Sequence, residues 1–148
     1  MPIGKAGTLA ELLRRASETI ERLTPAEAHA AAADGALLID IRSDRARQGE
    51  GIVPGSIHIP RTVLEWRVAR DSEWRNPFIA GVEQRLVLIC DHGCSSTLAA
   101  ASLVELGFAR TGDVVGGFAA WRDAGLPVTA APGPVPFGEL PGTRGPDA

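Results

Sequence analysis

The chain of 148 residues has little of what marks exported, membrane or nucleic-acid-binding proteins. It has two cysteines, too few for a disulfide framework, and no apolar run near the length that crosses a bilayer. Its net charge is −3, and no basic block is present to hold a nucleic acid. Glu11, Arg14 and Arg15 interrupt the first twenty residues, where a signal peptide would be apolar. We therefore predict a cytoplasmic protein with reduced thiols and with no membrane or nucleic-acid partner.

Length and composition predict one globular domain with two flanking segments. Hydrophobic residues make up 45% and charged residues 22% of the chain, which is close to ordinary globular usage. A chain of this size can bury a core. We place an N-terminal helical extension at residues 1–22, the domain at 23–129, and a flexible tail at 130–148, where Pro and Gly are frequent and large apolar side chains are few.

Helix signals alternate with short apolar runs along the domain. Thr8 and Thr24 each stand three residues before a Glu, a capping-box pattern that predicts helices from Leu9 to Ile20 and from Pro25 to Ala33. The other predicted elements are strands at 36–41, 56–59, 84–90 and 113–115, and helices at 62–70, from Ser95 or Ser96 to Gly107, and at 118–124. This alternation predicts an α/β fold with a mainly parallel sheet.

The residues around Cys90 predict a nucleophilic sulfur. An apolar run ends at Cys90, a loop containing Gly93 follows, and a helix restarts with Ser95 at its head. Several backbone N–H groups and a helix N-terminus would then point at one sulfur, which favours the thiolate. Such a position lowers the pKa of a cysteine from ~8.5 to roughly 3.5–7.5. The alternative that stays open is a small buried hydrophobic residue.

Four motifs, in order, resemble those of the rhodanese-like (sulfurtransferase) domain family over about residues 23–128. They are Asp40-Ile41-Arg42, residues 51–60 (GIVPGSIHIP), the loop that starts at Cys90, and residues 116–121 (GGFAAW). The resemblance implies a three-layer α/β/α fold with a five-stranded, mainly parallel sheet. It also implies that Cys90 takes a sulfane sulfur from a small anionic donor, thiosulfate or a persulfide. The resulting persulfide would pass its sulfur to cyanide or to a thiol, including a protein thiol, without a cofactor.

The loop also departs from the commonest family pattern. Ser95 stands where many members carry Arg, so the loop itself holds no cation near the sulfur, and Cys94 adds a second thiol. From Cys90 through Ser95 the loop has six residues, whereas related dual-specificity phosphatases have seven and end in Arg. A phosphatase or arsenate reductase is therefore disfavoured. A thiol redox protein that uses Cys90 and Cys94, and a non-catalytic module that presents the loop to a partner, stay open as alternatives.

We predict Cys90 as the catalytic residue and the loop as the main binding element. The predicted substrate-binding residues are Asp91, His92, Gly93, Cys94, Ser95 and Ser96 in the loop and Arg42, Arg61 and Arg67 outside it. The loop residues would act mostly through backbone N–H groups, as in an oxyanion hole. His92 would act as a base or cation, or point outward. Cys94 would serve as a resolving thiol or line the pocket.

The residues outside the loop have two interpretations each. Arg61 and Arg67 would attract an anionic donor beside Trp66, which is otherwise a core residue. Asp40 and Arg42 are favoured as a structural ion pair, with Arg42 adding positive potential. The glycines at 93, 116 and 117 indicate positions where a side chain would clash or require an unfavourable φ. No metal site is predicted, because the His and Cys residues lack paired ligand spacing.

Overall fold

The computed structural model describes residues 7–136 and 138–146. The helices are α1 (Leu9–Thr19), α2 (Pro25–Ala33), α3 (Asp44–Glu50), α4 (Leu64–Val68), α5 (Ser95–Glu105) and α6 (Gly117–Asp123), with a 3₁₀ turn at Arg61–Val63. The strands are β1 (Glu21–Leu23), β2 (Leu37–Asp40), β3 (Ile57–His58), β4 (Leu86–Ile89) and β5 (Thr111–Val114). None of the described helices is long and apolar enough to span a membrane.

The five strands form one sheet in the order β1-β5-β4-β2-β3, and every neighbouring pair is parallel. This confirms the predicted fold class. Strand β4 lies at the centre, and all four of its residues are buried because both faces of the sheet are covered. The carboxyl ends of parallel strands meet at one edge, where ligands bind in such folds. Cys90 follows β4 at that edge.

Two apolar clusters cover the two faces of the sheet and make the fold three-layered. One cluster joins β2 and β4 to α4 and α5, through side chains such as Leu64, Leu88 and Leu103. Cys90 belongs to this cluster. The other cluster joins β4 and β5 to α2 and α6, and Trp121 is fully buried in it. Helix α1 packs outside α5.

The capping signals place two helices as predicted. The side chains of Thr8 and Thr24 accept hydrogen bonds from the backbone N–H groups of Glu11 and Glu27, and each Glu bonds back to complete the capping box. Two elements were not predicted. Strand β1 has only three residues and no apolar run, and α3 buries only Arg47, so neither shows hydrophobic periodicity.

The start of α5 differs from the prediction. The N-cap of α5 is Cys94, whose side chain makes no capping hydrogen bond, and not Ser95 or Ser96. Ser96 lies inside the first turn with its hydroxyl buried and bonded elsewhere. A serine at a helix head is usually a cap, and here tertiary partners use the side chain instead.

The segment after the last helix makes specific contacts with the domain. Residues 130–136 and 138–146 contain no helix or strand. The carbonyl of Gly142 nevertheless accepts hydrogen bonds from Arg67 (Nε 3.2 Å, Nη2 3.0 Å) and from Asn76 Nδ2 (2.7 Å). Both donor side chains are buried. The predicted flexibility of this segment, and the division of the chain at residues 22 and 129, stay predictions.

Candidate active site

Cys90 lies where β4 ends, with its side chain almost fully covered at 3% exposure. The backbone N–H of Gly93 donates to its sulfur at an N···S distance of 3.1 Å. The Ser96 hydroxyl lies 3.4 Å from the same sulfur. A strand end, a loop amide and the first turn of α5 therefore surround one thiol.

The surroundings of Cys90 favour its thiolate. Burial raises the pKa of the thiol, but hydrogen bonds from the Ser96 hydroxyl and N–H, the Ser95 side chain and the Gly93 N–H outweigh it. The net effect lowers the pKa of Cys90 below its usual value. Since the thiolate is the nucleophilic form of cysteine, the sulfur is prepared for attack on an electrophile.

The loop is attached to α6 through its backbone. The Cys90 carbonyl accepts from the Phe118 N–H at 2.8 Å, and the Asp91 carbonyl accepts from the Ala119 N–H at 3.1 Å. This docking brings two glycine turns together: a Cβ on Gly93 would lie 2.6 Å from the Gly116 nitrogen. The predicted clash is thus present, and the Gly-Gly pair of the fourth motif serves the shape of the loop.

A buried carboxylate lies behind the loop and was not predicted from the sequence. Asp113, fully buried in β5, accepts hydrogen bonds from the hydroxyls of Ser96 (2.8 Å) and Thr97 (3.0 Å). Arg22, from β1, binds the same carboxylate through Nε (3.0 Å) and Nη2 (3.2 Å). Arg22 Nη2 also donates to the Gly93 carbonyl at 3.4 Å. A cation from a different strand therefore contacts the loop that lacks its own Arg.

The remaining loop residues line the solvent side. Asp91, His92, Cys94 and Ser95 are exposed, and both cysteines are free thiols. The structure thus brings all predicted loop residues together around Cys90. Four of these loop residues are solvent-exposed, whereas the Cys90 sulfur beneath them is nearly covered.

Arg42 is buried in the ion pair that the sequence predicts. Its guanidinium group binds both carboxylate oxygens of Asp40 (3.1 and 2.9 Å) and the Gly51 carbonyl (2.8 Å). It also lies 3.8 Å from the ring centre of Phe118, a residue whose N–H holds the Cys90 carbonyl. The Asp40–Arg42 pair therefore packs against the first turn of α6, which agrees with the prediction of a structural ion pair.

Arg61 and Arg67 bind groups away from the loop. Arg61 forms an ion pair with Glu65 at 2.9 Å. Arg67 is buried and donates to the carbonyls of Gly142 and Trp74. Neither side chain bonds to a loop residue within the described part of the chain, so their role in binding a donor anion stays a prediction. Trp66 is 59% exposed and is not a core residue.

In residues 7–136 and 138–146, no three His, Cys, Asp or Glu side chains gather closely enough to hold a metal ion. The described site consists of the buried Cys90 thiol, the Gly93 N–H and the Ser96 hydroxyl at its sulfur, and the exposed loop residues around it.

Comparison with known proteins identifies the family. The family model for the rhodanese-like domain matches residues 24–124. Thiosulfate sulfurtransferase GlpE of Pseudomonas savastanoi pv. phaseolicola is 35% identical over 102 residues, which cover 69% of this chain and 87% of that protein. GlpE of Pseudomonas paraeruginosa is 34% identical over 107 residues, covering 72% of this chain and 87% of the relative.

Solved structures agree with this comparison. A Rhodopseudomonas palustris protein of unknown function, described as a possible tyrosine phosphatase, is 32% identical, with a TM-score of 0.77 over 87% of this chain and 99% of that one. A thiosulfate sulfurtransferase from Pseudomonas aeruginosa shares the fold at 22% identity, with a TM-score of 0.65 over 80% of this chain and 22% of that one. By its motifs, its sheet and the position of Cys90, the chain belongs to the rhodanese-like domain family.

Proposed function

We propose that this protein is a single-domain sulfurtransferase that carries a sulfane sulfur on Cys90. The observation that carries the proposal is the Cys90 sulfur at the end of the central strand, with the Gly93 N–H at 3.1 Å and the Ser96 hydroxyl at 3.4 Å. The lowered pKa of the thiol, which survives the opposing effect of burial, supports a nucleophilic role. Relatives named thiosulfate sulfurtransferase support the reaction type.

The reaction has two steps that share one covalent intermediate. In the first, the Cys90 thiolate attacks the sulfane sulfur of thiosulfate, the S–S bond breaks, and sulfite leaves with the bonding electron pair. In the second, cyanide or an acceptor thiolate attacks the outer sulfur of the Cys90 persulfide. Thiocyanate or a new persulfide leaves, and the Cys90 thiolate is restored.

The exposed rim of the loop supplies the binding site in this proposal. Peptide N–H groups from Asp91 to Ser96 stabilise the anionic persulfide, in the manner of an oxyanion hole. Arg22, whose side chain is 35% exposed, adds positive charge at Gly93. The donor is a small sulfur anion and the acceptor a thiol, including a protein thiol, in a cytoplasmic setting.

Intact-mass measurement tests the persulfide. Incubation with thiosulfate should add the mass of one sulfur atom to the wild type, and cyanide should remove it with release of thiocyanate. Cys90→Ser should gain nothing, whereas Cys94→Ser, a matched control in the same loop, should gain the full adduct. The proposal fails if the wild type gains no sulfur from thiosulfate or from a low-molecular-weight persulfide.

The same samples separate the alternatives. A redox protein would lose both free thiols on mild oxidation through a bond between Cys90 and Cys94, without gaining sulfur. A phosphatase would hydrolyse p-nitrophenyl phosphate, an activity that the six-residue loop disfavours. A binding module would keep its partner when Cys90 is replaced by Ser.

A further inference from the structure

A chain of hydrogen bonds leads from the Cys90 sulfur to the edge strand of the sheet. The Ser96 hydroxyl lies between Cys90 Sγ (3.4 Å) and Asp113 Oδ2 (2.8 Å). Asp113 is completely buried, and its other partners are Thr97 Oγ1 at 3.0 Å and the Arg22 guanidinium at 3.0 and 3.2 Å. Cα pairing of Arg22 with Asp113 between β1 and β5 sets this last contact.

We propose that Asp113, held by Arg22 and Thr97, is a positioning residue that lets the Ser96 hydroxyl alternate between the carboxylate and the Cys90 sulfur. In the thiol state, Cys90 donates its S–H to Ser96, and Ser96 donates its O–H to Asp113. When the thiol proton leaves to solvent, the Ser96 hydroxyl turns and donates to the thiolate. The persulfide of the proposed function would receive the same bond, and only that extension rests on the proposed function.

The number of available protons limits what the Ser96 hydroxyl can bind. A serine hydroxyl has one proton, and an ionised sulfur can only accept. Ser96 therefore cannot serve Asp113 and the thiolate at the same time through its O–H. A buried carboxylate that loses a donor without replacement is destabilised, so the cost of turning depends on what else binds Asp113.

Thr97 and Arg22 keep that cost small. After Ser96 turns away, Asp113 still accepts one O–H from Thr97 and two N–H bonds from Arg22. The Arg22 bonds are charge-assisted and reach both carboxylate oxygens. Neither residue has a hydrogen bond to the sulfur within the described part of the chain. Both also contact the Gly93 carbonyl, Thr97 Oγ1 at 3.5 Å and Arg22 Nη2 at 3.4 Å, so the route through Ser96 has to be separated from one through Gly93 by experiment.

Other titratable or charged residues near the site lie on the loop, on β2 and on α6. The loop contributes the exposed residues Asp91, His92 and Cys94, the end of β2 contributes the paired Asp40 and Arg42, and the first turn of α5 carries no acidic residue. On α6, Arg122 and Asp123 lie in the last turn, away from the Gly117 end that contacts the loop. Thr97 has no charge, so Thr97→Val removes its hydroxyl from Asp113 (3.0 Å) and from the Gly93 carbonyl (3.5 Å) without altering this electrostatic setting.

The test measures the pH profile of Cys90 alkylation by iodoacetamide. A Cys94→Ser background leaves Cys90 as the one cysteine in the sequence. Thr97→Val should move the profile to higher pH and slow alkylation at acidic pH about three-fold, because Asp113 then holds the Ser96 proton more strongly and the thiolate loses part of a hydrogen bond. Its plateau at high pH should stay unchanged. Thr111→Val is the matched control, because this buried hydroxyl of β5 donates to the Phe108 carbonyl at 2.7 Å and to no other group among the residues that the structure describes.

A double-mutant cycle decides whether the effect passes through Ser96. Ser96→Ala should move the profile in the same direction, and adding Thr97→Val should then change nothing further. Arg22→Gln should shift the profile in the wild-type Ser96 background by more than it does beside Ser96→Ala. The proposal is overturned if Thr97→Val leaves the profile in place, or if it shifts the profile equally with and without Ser96.

The result is separable from the proposed function. A coupled shift in alkylation without a mass gain from thiosulfate would keep the relay and reject the sulfurtransferase. A mass gain from thiosulfate without a coupled shift in alkylation would keep the sulfurtransferase and reject the relay. Both measurements use the full chain.

Discussion

At the scale of single residues, the peptide groups of the Cys90 loop come into direct contact with the turn at Gly116–Gly117. A Cβ on Gly117 would lie 2.5 Å from the Cys90 carbonyl oxygen and 2.7 Å from the Gly93 nitrogen. Gly117 also has a φ of +63°, in the left-handed region. The position of the Cys90 loop therefore depends on Gly117, the first residue of α6, having no side chain.

We expect Gly117→Ala to destabilise the protein and disturb the site. The left-handed φ costs about 1–2 kcal/mol for a residue with a Cβ, and the clash with the loop adds roughly 1–3 kcal/mol. Gly125→Ala is the matched control, since its φ is +72° and a Cβ there has no neighbour within 4 Å. Urea unfolding should show the larger loss for Gly117→Ala, together with slower alkylation of Cys90. Equal losses for the two variants would contradict the contact.

Cys90 could be predicted at this scale, whereas its supporting residues could not. An apolar run, a cysteine, a glycine and a small-residue helix head follow one another in the chain, so local patterns suffice. Asp113 and Arg22 are 91 residues apart, and their pairing exists only in the assembled sheet. A carboxylate in the apolar setting of β5 was the one available signal.

At the scale of elements, the segment around Gly142 provides hydrogen-bond acceptors for buried polar side chains of the domain. Asn76 is fully buried, and its amide donates to the carbonyls of Gly142 (2.7 Å) and Arg144 (3.1 Å). Its side-chain oxygen accepts from the Phe78 N–H at 2.8 Å. The Asn76 side chain thus links this irregular segment to the domain at two carbonyl groups.

We expect Asn76→Ala to lower the free energy of unfolding by about 1–3 kcal/mol, because buried carbonyl and N–H groups lose their partners. Hydrogen exchange in residues 138–146 should become faster. Gln84→Ala is the matched control: this amide also joins two backbone groups, at Ala80 (2.8 Å) and Phe78 (3.1 Å), but has no bond to the segment. If the segment already exchanges without protection in the wild type, the sequence-based prediction of a flexible tail is correct instead.

The elements differ in how well they could be predicted. Capping boxes and the apolar run of β4 are local signals that work before any tertiary contact forms. Strand β1 has the burial pattern exposed, exposed, buried over Glu21–Leu23, and only pairing with β5 makes it a strand. The same pairing places Arg22 beside the Cys90 loop. Because strand β1 was not predicted, the contact of Arg22 with the loop was not predicted either.

At the scale of the whole molecule, stability should depend on pH through His58. This side chain is 7% exposed, with Nε2 2.7 Å from the Arg42 carbonyl and Nδ1 3.6 Å from Asp44. Burial lowers the pKa of His58, and the charge of Arg47 lowers it further. The hydrogen bond to the Arg42 carbonyl and the charges of Asp40 and Asp44 raise the pKa but do not outweigh these causes. The neutral ring is therefore the form that the fold accommodates.

Because the folded-state pKa of His58 is lowered, the unfolded chain takes up this proton first as the pH falls. Stability is therefore complete above the unfolded-state pKa of about 6.5 and declines below it until the folded His58 titrates. Urea midpoints measured from about pH 7.5 down to about pH 5.5 should fall, and His58→Gln should flatten the decline. His92→Gln, at an exposed histidine, should keep it. An undiminished slope in His58→Gln would contradict this assignment.

Neighbouring residues along the chain account for the family, the fold class and the position of Cys90 after the central strand. Helix caps, apolar runs and the Gly-containing loop act over a few residues, so their physical consequences can be derived from order alone. The partners of the Ser96 hydroxyl, the cation at the loop and the buried bonds to Gly142 depend on groups brought together by the parallel sheet. Burial then makes each of these groups need a partner, because a polar atom removed from water is stable only when it is hydrogen-bonded.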